Sequence, residues 1–162
     1  MNHRISGRGK ASRRPAIAAT IAAGLLVLGA ALPPRPAEAL SAYAAAIPDN
    51  PAQQGLAFGA GYNYATRAGA EERALTECRK QAGDNALLVS LCKIVDHFDN
   101  QCLSISMDPQ PGTPGYGWAI GANADAANGQ ALSNCRQTAG ADRVGYCVVS
   151  LTDCDTLTPA PK

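Results

Sequence analysis

In the stretch VDHFDNQC, from Val95 to Cys102, a histidine stands between two aspartates. His97 with Asp96 and Asp99 is a composition that could hold a divalent cation or serve a serine–histidine–aspartate hydrolase. The other histidine, His3, falls in a basic leader, so any histidine-dependent mechanism beyond it runs through His97. A metal centre normally needs three or four ligands, and α/β-hydrolases carry their serine in a G-x-S-x-G turn. Neither pattern accompanies His97, and the segment reads as a polar hairpin between two strands. Glu71, Glu72 and Glu77 raise the question of paired carboxylates for glycoside cleavage, but within one helical segment they describe a solvated face. These patterns assign no catalytic residue, metal ligand or cofactor site.

Two glycine-rich stretches, GAGYNY from Gly59 and GYGWAIG from Gly115, invite a phosphate-loop reading. They lack the lysine and the immediately following helix that cradle a phosphate. Both alternate instead as strands do. Leu56, Phe58, Ala60, Tyr62 and Tyr64 alternate with Ala57, Gly59, Gly61 and Asn63, and Tyr116, Trp118, Ile120 and Ala122 with Gly117, Ala119 and Gly121. Each strand thus has a bulky face and a tiny one. The bulky face is expected to be core, set against Ala-rich helices, because a domain of this size has few other large residues to bury. Were the helices to press on the Gly and Ala face, Tyr62, Tyr64, Tyr116 and Trp118 would become an exposed patch suited to binding.

What precedes these strands reads as an export signal. Arg4, Arg8, Lys10, Arg13 and Arg14 form a basic leader, Ala16 to Leu32 is almost wholly apolar, and Ala37-Glu38-Ala39 supplies a small-x-small cleavage pattern. Residues 1–39 are read as a signal peptide cleaved near Ala39, leaving a single domain, 40–162, secreted or periplasmic and without a stable membrane anchor. Pro15 and Ala16 follow the adjacent arginines where a twin-arginine signal prefers bulk, which favours the general secretory route. Cleavage also changes the charge. The chain has 14 Lys and Arg against 13 Asp and Glu, but six of the bases and Glu38 alone of the acids precede Leu40, leaving 8 against 12 and a net charge of −4. An acidic domain lacks the basic face that nucleic acid or an anionic membrane surface requires.

All 6 cysteines lie in the exported part: Cys78, Cys92, Cys102, Cys135, Cys147 and Cys154. An even count in an oxidising compartment reads as disulfides, and the close pairs of a zinc site are missing. An internal repeat organises them. Ala70, Ala74, Leu75, Cys78, Arg79, Ala82 and Gly83 match Ala127, Ala131, Leu132, Cys135, Arg136, Ala139 and Gly140 at a constant offset of 57. The apolar positions fall along one helical stripe, Thr66 and Asn123 stand where N-caps belong, and Gly83 and Gly140 close the helices. Proline-rich turns repeat as well, IPDNPAQQG from Ile47 and MDPQPGTPG from Met107.

Strands are predicted over Ala42–Ile47, Leu56–Tyr64, Leu91–Phe98, Cys102–Met107, Tyr116–Ala122 and Tyr146–Leu151, so that each copy runs strand, strand, helix, strand. The fold class is α+β: two copies, about 42–98 and 102–154, forming a mostly antiparallel sheet with two helices on one face, stapled by disulfides. If each helix cysteine crosses to the strand that follows it, Cys78 joins Cys92 and Cys135 joins Cys147. Cys102 is then left for Cys154 as a link across the copies.

An AYAAAI strand, a Gly-rich aromatic strand, an A...AL..C helix, a C.IV strand and an F.NQC step precede a second round, GWAIGA, AL.NC and CVV. This order resembles a secreted bacterial family, domain-of-unknown-function family 4189, from Ala42 to Cys154. RKQAGDNALLVSL, between Cys78 and Cys92, is longer than the Gly-rich link expected there. The resemblance implies export, cysteine pairing and the repeat, and it supplies no catalytic residues. The function expected is a secreted, disulfide-stapled interaction module that acts without catalysis or cofactor on a protein or cell-envelope component. The alternative is a small exported hydrolase or metal-dependent enzyme centred on His97.

Overall fold

The computed structural model describes residues 40–155, so the segment 1–39, read above as a signal peptide, lies outside the described residues. Six strands form, β1 (Leu40–Ala46), β2 (Ala57–Tyr64), β3 (Lys93–Phe98), β4 (Cys102–Met107), β5 (Tyr116–Gly121) and β6 (Val148–Cys154). Two long helices, α2 (Arg67–Ala82) and α4 (Ala124–Thr138), accompany the short α1 (Pro51–Gln54) and α3 (Ala86–Leu91). The long helices start at side-chain caps: Thr66 Oγ1 accepts the Gly69 N–H at 3.1 Å and Asn123 Oδ1 the Ala126 N–H at 2.9 Å. Gly83 ends α2 with a φ of +57°, a conformation that costs glycine little.

The α+β class and the antiparallel pairing hold, but the sheet is divided in two. The first half of the chain makes a three-stranded sheet in the order β2-β1-β3, and the second half one in the order β5-β4-β6. Each long helix covers the outer face of its own sheet. On the first sheet Ala70, Ala74, Cys78 and Ala82 of α2 pack against Ala42, Ala44, Ala46 and Ala57. Glycine makes that approach possible. A Cβ on Gly59 would stand 2.2 Å from Ala74 O and Cys78 N, and one on Gly117 2.3 Å from Cys135 N and 2.5 Å from Ala131 O.

The bulky strand faces therefore meet one another and not the helices, a correction to the packing expected from the alternation; Tyr64 alone of the β2 set, after Asn63 at a φ of +60°, packs instead with the cluster beneath α2. Tyr43, Phe58 and Phe98 of the first sheet share a core with Leu103 and Ile105 of the second, and Trp118 lies on Tyr43 with ring centroids 4.9 Å apart. The reason is steric: helix backbone needs the glycine face, so the two aromatic faces can leave water only against each other.

Two boundaries move. The long link after Cys78 holds α3, capped by Asn85 Oδ1 on the Leu88 N–H, and this delays β3 to Lys93. A 3-10 turn at Val144–Tyr146 delays β6 to Val148. Disulfides join Cys78 to Cys92, Cys135 to Cys147 and Cys102 to Cys154. Cys102 and Cys154 are register partners on neighbouring strands β4 and β6, so this bond closes within the second half and does not cross between halves. Among the described residues no helix is long and apolar enough to cross a membrane.

Candidate functional site

Where the two sheets stop facing one another, between edge strand β2 and edge strand β6, lies a groove of about 970 Å³. Strand alternation builds its walls. Phe58, Ala60 and Tyr62 point from β2 toward the second sheet, and Ile105, Met107 and Leu151 answer from β4 and β6. Charge is confined to the rim supplied by α2, where Arg73 and Lys80 flank Glu77 at 2.9 and 3.9 Å. Gln81, one turn further on, accepts the N–H of Phe58 on the open edge of β2.

The four aromatic candidates divide among three places. Tyr62 and Tyr64 line the groove, whereas Trp118 lies in the inter-sheet core and Tyr116 at the start of β5, held by Thr138. Among the described residues the buried Tyr62 hydroxyl has no hydrogen-bond partner, and burial, followed by the nearby Asp153 charge, raises its pKa. The sequence reading missed Ile105, Met107, Leu151 and Gln81. Only the alternation of β4 signalled the first two, and nothing local signalled that β6 would stand opposite β2.

His97 sits within β3 and not at a hairpin tip, because β3 continues through Phe98 in pairing with β1. Its Nε2 donates to Glu71 Oε1 of α2 at 2.7 Å, tying the helix to the edge strand. Asp96 Oδ1 accepts the backbone N–H of His97 itself at 2.8 Å. Ser41, in the small cleft beside His97, donates its hydroxyl to Asp155 at 3.1 Å and accepts the Asn63 N–H at 3.2 Å, so it is not aligned on the imidazole. No three His, Cys, Asp or Glu side chains converge among the described residues.

The family model described as a domain of unknown function, DUF4189, matches residues 43–154. That span runs from the centre of β1 to the last residue of β6 and contains the whole groove. No curated protein and no solved structure matches the chain.

Proposed function

The chain belongs to the DUF4189 family, and we propose that it is an exported, non-enzymatic binding module whose groove between β2 and β6 takes an apolar segment of a protein or cell-envelope partner. Its three disulfides fit an oxidising compartment, and the leader read in residues 1–39 supplies the route there. The observation that carries the reading is the groove itself. Apolar side chains from both sheets line it, charge is confined to one rim, and its volume is that of small-ligand and peptide clefts. A probe can test this without knowledge of the partner. The solvatochromic dye 8-anilinonaphthalene-1-sulfonate should bind the folded, oxidised protein with a blue shift, and Leu151→Arg should abolish that signal while leaving the far-ultraviolet circular dichroism unchanged. Equal dye binding by the variant, or none by the parent protein, would count against the groove as an accessible site.

A further inference from the structure

The two halves treat their outer edge strands differently. In the second half, α4 closes the edge of β5: Thr138 Oγ1 accepts the Tyr116 N–H at 2.8 Å and donates to Tyr116 O at 2.6 Å, and Asn134 Nδ2 donates to Trp118 O at 2.8 Å. In the first half, Gly59 meets α2 as Gly117 meets α4, so Phe58 and Ala60 of β2 correspond to Tyr116 and Trp118. Gln81 serves the Phe58 N–H as Thr138 serves that of Tyr116. The place of Asn134, however, is taken by Glu77, a carboxylate with no proton to donate, turned toward Arg73 and Lys80. Alternate residues of an antiparallel edge strand turn both backbone groups outward, so the parity that exposes Phe58 N–H also exposes the N–H and C=O of Ala60. Among the described residues no side chain caps them. The side chain differs too, since Ala60 leaves open the volume that an indole fills in the second half.

We propose that the open edge of β2 accepts an extended polypeptide segment as a fourth strand of the first sheet. This rests on the reading of the groove as the binding site and specifies its occupant. Pairing would give the segment main-chain hydrogen bonds at Ala60, and strand alternation would divide its side chains into two rows. One row enters the groove among Phe58, Tyr62, Ile105 and Leu151 and is apolar. The other meets the rim, where Arg73 and Lys80 outnumber Glu77, and carries an acidic residue. The occupant is therefore a strand-forming segment of a protein partner with apolar residues at alternate positions and a carboxylate between them.

The probe is the capped hexapeptide Thr-Val-Glu-Val-Thr-Val, titrated into the oxidised protein by fluorescence anisotropy. Binding is expected, with N-methylation of one alternate set of its amides abolishing it and methylation of the other set changing it less than about threefold. Glu77→Asn restores the donor that Asn134 provides in the second half. It should weaken the peptide at least tenfold, although it leaves the rim more positive. Ala60→Trp should do the same by filling the groove, and an unchanged circular dichroism spectrum for either variant certifies its fold. Loss of affinity on methylating both sets equally, or tighter binding by Glu77→Asn, would overturn the strand proposal in favour of a merely apolar or electrostatic contact. Dye binding in the groove without any peptide binding would overturn it while leaving the groove reading in place.

Discussion

Trp118 shows how much one side chain can report about this molecule. Its ring lies 4.9 Å from that of the fully buried Tyr43, at the seam between the two sheets, and it is the sole tryptophan of the chain. Emission from the folded protein should be blue-shifted and poorly quenched by iodide, and Trp118→Ala should cost about 3 kcal/mol, the low end for a buried ring because the indole is only partly buried. A solvent-like spectrum would contradict the inter-sheet packing. Asp108 reports on pH. Its buried carboxylate accepts from Arg143 Nε at 2.6 Å and Nη2 at 2.7 Å, and these bonds hold its pKa down at about 2. A carboxyl whose folded pKa is depressed stabilises fully above its ordinary value of 3.8 and loses that contribution as pH falls through about 2. Asp155, whose pKa burial raises, acts in the opposite sense and is common to parent and variant. The urea midpoint of the parent should therefore fall more steeply than that of Asp108→Asn between about pH 5 and pH 2. Parallel slopes would show that the pair contributes nothing.

At the scale of elements, the contact between each helix and its sheet depends on missing side chains. Gly117→Ala places a methyl 2.3 Å from the backbone nitrogen of Cys135, and backbone cannot yield as a side-chain tip can. The helix must lift, at a cost of about 1 to 3 kcal/mol or more. Gly129, in the middle of α4, has nothing within 4 Å of its Cβ position, so Gly129→Ala should stabilise by about 0.5 to 1 kcal/mol through backbone entropy. Chemical denaturation of the two variants checks the opposite signs. The same glycines explain what the sequence could and could not convey. Caps at Thr66 and Asn123, the Ala stripes and the alternation of β2 and β5 are local patterns, and they placed both long helices and the bulky and tiny strand faces. Which face meets which partner is not local. A glycine row permits a helix above it, while the aromatic row says only that something must cover it, and the cover came from the other half. The groove was legible through Tyr62 and Tyr64 alone, because its opposite wall depends on where β6 falls against β4.

For the whole molecule, the core is thin and covalent bonds compensate. Against α2 the first sheet buries chiefly alanines, whose small area contributes little hydrophobic stabilisation. Among the described residues the two halves meet through the inter-sheet core and contacts such as Ser41 with Asp155, while each disulfide closes within its own half. Strand β6 leans on these bonds most. Val148, Val149 and Leu151 are exposed, yet Cys147 anchors the strand to α4 at one end and Cys154 anchors it to β4 at the other. In the chain-entropy view, the Cys102–Cys154 bond, which spans 52 residues of sequence, stabilises by about 4 kcal/mol, and each of the shorter loops by about 3 kcal/mol. A small domain has a total stability of only about 5 to 15 kcal/mol, so loss of all three would consume most of it. Cys154 is partly exposed while the cysteines of the other two bonds are buried, so a thiol reductant should reach the Cys102–Cys154 bond first. Graded reduction followed by alkylation and peptide mapping should find Cys102 and Cys154 modified while the Trp118 emission is still native. The emission should then collapse to the solvent-like value as Cys78–Cys92 and Cys135–Cys147 open. Native fluorescence in the fully reduced protein would show that the aromatic core between the sheets suffices without its staples.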